Sequence, residues 1–213
     1  MAGRIITVAQ QKGGSGKTTL TVNLAISLLA RGYSVALIDT DPQGSLGRWF
    51  MERRERPDTD QDEALEFSTS SAWGASYEGE KLKKNYDFVL IDTPPKIDSD
   101  LRPALRVADL VMVPVATSHV DLWATEGVLD LTRREKRGAM IVMNRTRPGT
   151  RLAVEVAEAA AELEASVAGA HLSNRVAYAE TLGQGLGVIE RARSGPARDE
   201  IDALTDEVLA AVN

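Results

Sequence analysis

The sequence predicts an α/β fold, a single domain over residues 1–213 in which a mainly parallel, twisted sheet is flanked by helices. Three observations carry this expectation. Short apolar runs rich in valine and isoleucine recur along the chain. Segments with helical periodicity stand between them, the alternation that a parallel sheet with crossover helices requires. The length sets the domain count: 213 residues, 43% hydrophobic and 26% charged, supply one sizeable core and too little for two.

The first strand is expected at Arg4–Ala9. The helix after it, Thr18–Ala30, carries apolar residues at Leu20, Val22, Leu24, Ala25, Leu28 and Leu29, and Arg31-Gly32 ends it because glycine suits a helix stop. Ser34–Asp39 reads as the second strand, closed off by Pro42. A helix at Leu46–Arg54 runs into the charged stretch Glu52–Glu66, which has no apolar period and reads as an exposed connection. Strands follow at Phe88–Asp92, Leu110–Val115 and Ala139–Met143, with helices at Leu101–Val107, Val120–Arg134, Arg151–Ala165 and Glu200–Ala211. The block after Arg151 is rich in alanine and glutamate, which favours a solvated helix. Glu66–Thr69 and Val167–His171 are weaker strand candidates.

Composition closes several routes. Cysteine is absent, which excludes disulfides, iron–sulfur clusters and thiolate zinc sites. His119 and His171 stand alone, without metal-ligand spacing, and read as ordinary polar residues. The opening MAGRIITV is too short and too soon interrupted for a signal peptide, and no apolar run is long enough to span a bilayer, so a cytoplasmic protein is expected. A net charge of -6 argues against a surface that is basic throughout; any contact with nucleic acid needs a local patch or an assembly.

The most informative stretch is Ala9–Leu20, AQQKGGSGKTTL. A glycine-rich loop between a strand and a helix lets backbone N–H groups cradle a polyphosphate at the positive helix end. Gly13, Gly14 and Gly16 permit close approach, Lys17 reaches the β- and γ-phosphates, and the Thr18 hydroxyl is placed for Mg²⁺. Ser15 and Thr19 complete the expected nucleotide contacts. The match to G-x-x-x-x-G-K-[ST] is imperfect, since Gln11 occupies the first glycine position and Lys12 is added.

KGGSGKTT resembles the deviant Walker A box of the ParA/MinD family of ATPases, and the resemblance runs from Ile5 to about Ile189. It is nearest the small ParA group, including ParF-like plasmid partition proteins and relatives that position chemoreceptor clusters or carboxysomes. The resemblance implies a P-loop NTPase that takes ATP and Mg²⁺ and closes as a homodimer over two nucleotides. Lys17 then acts within its own subunit and Lys12 on the partner's ATP; a solvated loop lysine is the alternative reading of Lys12. Asp41 in VALIDTDPQGSL matches the aspartate that orients or activates the attacking water, and Asp39 falls near the metal. Asp92 in YDFVLIDTPP matches the Walker B residue that holds Mg²⁺ through water, with Thr93-Pro94-Pro95 as the second switch. Asn144 matches the asparagine that contacts adenine, and an ordinary turn opening is its alternative. Pro114 and Asp121 fall on positions commonly occupied in the family.

The same resemblance implies slow intrinsic hydrolysis, nonspecific DNA binding in the ATP state, a nucleoid-associated location, and a ParB-like or cargo adaptor that stimulates hydrolysis. Arg175, in RVAYAETLGQGLGVIE, matches the segment in which an arginine helps form the DNA surface, and Arg191 and Arg193 extend it. The cluster Arg133-Arg134-Glu135-Lys136-Arg137 is a competing patch or a helix C-terminal cap. Two other classes are weighed. A MinD-like membrane ATPase needs a basic amphipathic C-terminal helix, whereas RDEIDALTDEVLAAVN is acidic on its polar face, so no membrane partner is expected. A metabolic ATP-dependent enzyme needs a substrate pocket, and no second group of catalytic residues shows in the sequence.

Overall fold

The computed structural model of the chain describes residues 3–59, 63–95 and 100–212, so part of the charged connection after Glu52 lies outside the described residues. Its strands are β1 (Arg4–Val8), β2 (Val35–Asp39), β3 (Leu65–Thr69), β4 (Phe88–Asp92), β5 (Leu110–Ala116), β6 (Ala139–Asn144) and β7 (Ser166–Val167). They form one sheet in the order β3-β2-β4-β1-β5-β6-β7, and every described pairing is parallel. The predicted fold class is therefore the observed one. Among the described residues no helix is long and apolar enough to cross a membrane.

Both faces of the sheet are covered, which explains why the strands read as continuous apolar runs. Successive residues of β4 alternate between the two cores, Phe88 and Leu90 on one side, Val89 and Ile91 on the other. The first side packs against α1 (Lys17–Ala30), α7 (Val176–Leu182), α8 (Val188–Arg191) and α9 (Pro196–Val212). The second packs against α3 (Ala75–Leu82), α4 (Arg102–Val107), α5 (His119–Arg134) and α6 (Arg151–Ala161). Helix α1 lies between the sheet and α7 to α9, so Leu20, Val22, Leu24, Ile26 and Leu28 are buried at once.

Several boundaries differ from expectation for physical reasons. Helix α6 stops at Ala161 and the strand after it is only Ser166–Val167, although the Ala168 and Leu172 N–H groups still reach carbonyls of β6. Helix α9 begins at Pro196, which suits a first turn because its missing N–H would have no partner there. Helices α3, α7 and α8 have no counterpart in the sequence reading. In α3 the interruption is Gly79, which is buried against the sheet; a Cβ there would meet Ile5 Cδ1 at 3.4 Å and Ile91 Cδ1 at 3.6 Å, ordinary van der Waals contact, so the helix tolerates glycine without requiring it.

Helix α2 (Ser45–Arg54) is clamped to the segment between α7 and α8. Arg53 is 3% exposed. Its guanidinium donates to both Glu190 carboxylate oxygens, at 2.8 and 3.0 Å, and to the Gly185 carbonyl at 3.0 Å. It also lies 5.6 Å from the centre of the Trp49 ring, whose Nε1–H donates to Leu186 O at 3.3 Å. Gly185 has φ of 70°, and a Cβ there would come within 2.4 Å of the Arg53 nitrogen.

Candidate functional site

The register Val8↔Asp92 and Asp39↔Asp92 brings the carboxyl ends of β1, β2 and β4 level. The glycine loop, Asp39 to Asp41 and Asp92 therefore converge at the sheet edge where ligands bind in open α/β folds.

The loop is set by its glycines and by a side chain from β6. Gly16 caps α1 with φ of 95°, and a Cβ on it would stand 2.2 Å from Asn144 Nδ2. Asn144 is buried; its Nδ2 donates to Ser15 O at 2.8 Å and its Oδ1 accepts the Arg145 N–H at 2.8 Å. The predicted adenine ligand thus already latches the phosphate loop, with one proton and one lone pair left over. Gly16→Ala should cost about 2 kcal/mol or more of stability, from the left-handed backbone and the clash together, and should abolish nucleotide binding. Thermal unfolding and nucleotide titration check this, and an unchanged melting temperature would mean that the loop is laid differently.

Lys17 is buried, and burial lowers its pKa although Asp92 and Asp41 pull the other way. The Thr18 hydroxyl donates to Asp92 Oδ2 at 2.6 Å. Asp92 Oδ1 is buried without a hydrogen-bond partner, an arrangement that normally costs free energy. Burial first, then the neighbouring Asp39 and Asp41, push the Asp92 pKa up to about 7, against the opposing pull of Thr18 and Lys17. An orphaned carboxylate oxygen beside a hydroxyl at a phosphate loop fits Mg²⁺. Among the described residues no group of three or more His, Cys, Asp or Glu is able to hold a metal by itself, so the remaining ligands have to be water and phosphate oxygens.

Asp39, expected near the metal, has another immediate task. Its Oδ1 accepts the Asp41 N–H and its Oδ2 the Gly47 N–H, each at 3.0 Å, and burial raises its pKa. It shapes the turn that carries Asp41. Asp41 in turn accepts the Gln43 N–H at 2.9 Å and lines the phosphate cavity. That cavity, about 350 Å³, is bounded by Gly13, Gly14, Gly16, Lys17, Thr18 and Thr19 among others. A second of about 210 Å³ adjoins it, between Asn144, Ser173 and Tyr178, with room for a base and ribose.

Lys12 does not line the phosphate cavity. Its Nζ lies 2.7 Å from Oδ2 of Asp121, a buried carboxylate that also accepts the Ser118 hydroxyl at the start of α5. The sequence reading missed Gln10, whose Nε2 donates to Thr125 Oγ1 at 3.0 Å and Pro114 O at 3.3 Å while its Oε1 accepts the Gln11 N–H at 2.8 Å. It fixes the entry to the loop. An amide at the end of an apolar strand, one turn before the glycines, was the available signal.

The arginines are divided. Arg175 donates to Glu200 Oε1 at 2.8 and 2.9 Å, beside the Tyr178 hydroxyl, and it lines the base cavity. Arg191 pairs with Glu180, and both arginines border a further cavity of about 500 Å³ with Arg198 at the start of α9. Arg193 is exposed and is not part of that wall. In the competing cluster Arg133 and Arg134 pair with Asp130 and Glu135 binds Arg102 and Arg106, while Lys136 and Arg137 are exposed.

Comparison with known proteins agrees with this geometry. The family model described as the CobQ/CobB/MinD/ParA nucleotide binding domain matches residues 6–188. The chain is 29% identical to maintenance of carboxysome distribution protein A of Halothiobacillus neapolitanus, over 96% of this chain and 95% of that protein. It is 32% identical to the chromosome-partitioning ATPase Soj of Thermus thermophilus, over 98% and 96%. Among solved structures, the septum site-determining protein MinD of Pyrococcus horikoshii with Mg-ADP superposes with a TM-score of 0.81 at 20% identity, covering 98% of this chain and 97% of that one. Apo McdA of Cyanothece gives 0.80 at 17% identity, covering 97% and 99%; both likenesses concern the fold. A glycine loop between strand and helix, the buried Asp92 beside the Thr18 hydroxyl and a family match over most of the chain lead to one conclusion: this protein belongs to the CobQ/CobB/MinD/ParA family and is a P-loop ATPase of the ParA/MinD type, binding ATP with Mg²⁺.

Proposed function

We propose that the protein is a positioning ATPase. Two ATP-bound protomers close face to face, bind DNA without sequence preference, and let go when a cargo-borne adaptor speeds hydrolysis. One observation carries the reading: Lys12, next to the phosphate loop, lies outside its own phosphate cavity and is held by Asp121. A cation so placed is of little use to its own nucleotide and, once it leaves Asp121, can serve a second subunit's, as an arginine finger does elsewhere.

In the proposed dimer the Gly13–Gly16 amides, Ser15, Thr19 and Lys17 hold the polyphosphate, and Lys12, released from Asp121, adds positive charge at the partner's phosphates. Thr18 and Asp92 hold Mg²⁺, which balances phosphate charge when bound; Asp39 keeps the turn of Asp41 in shape. Asp41 orients a water for in-line attack on the γ-phosphorus, and the bond to ADP breaks as the new bond to water forms. The kinship with a carboxysome distribution protein and a chromosome-partitioning ATPase supports a large cargo, either a protein assembly or DNA. Arg175, Arg191 and Arg193 are the proposed DNA contacts. The first two must exchange a carboxylate for a phosphate, and because neutralising phosphates releases their counterions, binding has to weaken with salt.

The test is molecular mass on a column with ATP and Mg²⁺, in parallel with binding of nonspecific duplex DNA across a salt series. Wild type should form an ATP-dependent dimer that binds DNA only in that state. Lys12→Ala should keep nucleotide affinity within about threefold and lose both the dimer and the DNA binding. A stable ATP dimer of Lys12→Ala would remove the trans role, and DNA binding that ignores nucleotide would remove the positioning cycle.

A further inference from the structure

The β6–α6 turn contains an arginine that the roles above leave unused. Arg145 has φ of 52°, in the left-handed region that is costly for any side chain. The other non-glycine residue of this kind among the described residues, Lys136, terminates α5, where its N–H bonds the Arg133 carbonyl and such a backbone is common. Arg145 ends no helix. Its conformation is imposed from both sides: its N–H is taken by Asn144 Oδ1, and Thr146 donates to the Leu172 carbonyl at 3.0 Å and bridges to Ser173. Strain held in place by its surroundings in this way concentrates where ligands bind.

The side chain has no other employment. It is exposed, and among the described residues no hydrogen bond or ion pair engages the guanidinium. Its position is specific. The phosphate cavity and the base cavity share three lining residues, Thr19, Arg145 and Leu182, and of these only Arg145 is charged. With the polyphosphate along the glycine loop and the base beside Asn144, that junction is where the α-phosphate meets the ribose.

We propose that Arg145 is a further nucleotide-binding residue, presented by its left-handed turn so that the guanidinium holds the α-phosphate between the two cavities. The inference rests on reading Gly13–Thr19 as the phosphate cradle. A charge-assisted bond at the α-phosphate serves ATP and ADP alike, in contrast to Lys12, whose proposed target is the partner's nucleotide.

Calorimetric titration with ADP and with a non-hydrolysable ATP analogue, both with Mg²⁺, tests it. Arg145→Gly suits the backbone and removes only the side chain, so the nucleotide-free protein should melt no lower than wild type while both affinities fall about tenfold. Arg145→Lys, which keeps the charge, should recover part of that loss. Unchanged ADP affinity in Arg145→Gly overturns the proposal, as does a loss confined to the ATP analogue. So does a lysine variant as weak as the glycine one if the glycine variant also melts lower, since the side chain would then be structural. Lys17→Ala is run alongside. If it too binds both nucleotides normally, the cradle itself has been misread; if it fails while Arg145→Gly binds normally, the Arg145 proposal alone falls.

Discussion

Asp41→Ala should lower ATP hydrolysis by at least about a hundredfold while leaving ATP affinity within a few-fold of wild type, the signature of a group that acts on the attacking water. The separation follows from where Asp41 stands. It lies on the wall of the cavity that the glycine loop also lines, and its backbone is fixed by Asp39 rather than by its own side chain. Removing the carboxylate sacrifices one local bond, from the Gln43 N–H, so Asp41→Asn is the companion variant: it retains that bond and loses the charge. Both should be inactive in phosphate release, and both should accumulate the ATP dimer. Near-normal hydrolysis by either one would take Asp41 out of the reaction, and a loss restored by asparagine would make its role the turn alone.

Asp92→Asn has the second large effect, and part of it is a gain. The pKa of Asp92 is raised from 3.8 to about 7 in the fold, so the native chain keeps a proton that the unfolded chain has released. The associated stabilisation is complete below the unfolded value and is lost as pH rises toward about 7, at about 1.4 kcal/mol per unit. Above pH 7 the nucleotide-free protein carries a buried, half-satisfied carboxylate, with Thr18 and Lys17 for it and Asp39 and Asp41 against it. The amide variant should therefore melt higher than wild type at pH 8, by about 2–4 °C for each kcal/mol recovered, and the difference should shrink toward pH 5. It should also lose the extra stabilisation that Mg²⁺ adds to bound nucleotide. A variant that melts lower at pH 8, or still responds fully to Mg²⁺, would contradict the assignment.

What the sequence made legible follows from which signals are local. The strand-loop-helix of Val8 to Lys17, and carboxylates at the ends of apolar strands such as Asp39 and Asp92, announce themselves within a dozen residues, because strand period, glycine spacing and helix period are near-neighbour properties. The competing long-range choices do not. Lys12 finds Asp121 across 109 positions, and Asn144 finds Ser15 across 129, through strands that are adjacent only after folding. Gly185 and Gly187, on either side of Leu186, look like helix breakers, yet each is the price of close packing, against α2 in one case and α1 in the other. Arg175 shows the limit of transfer by pattern: its bond to Glu200 depends on helix α9, whose approach no local signal encodes.

The Arg53 clamp gives the molecule a drive shaft. Helix α2 starts four residues after Asp41 and carries near its end the guanidinium that grips Gly185 and Glu190, and Arg191 is the next residue along. At its head the Gly47 N–H is held by Asp39, and at its foot Arg53 is held by Gly185 and Glu190, so both ends of α2 are fastened. The turn that carries Asp41 and the segment that carries Arg191 are thereby joined through a single helix.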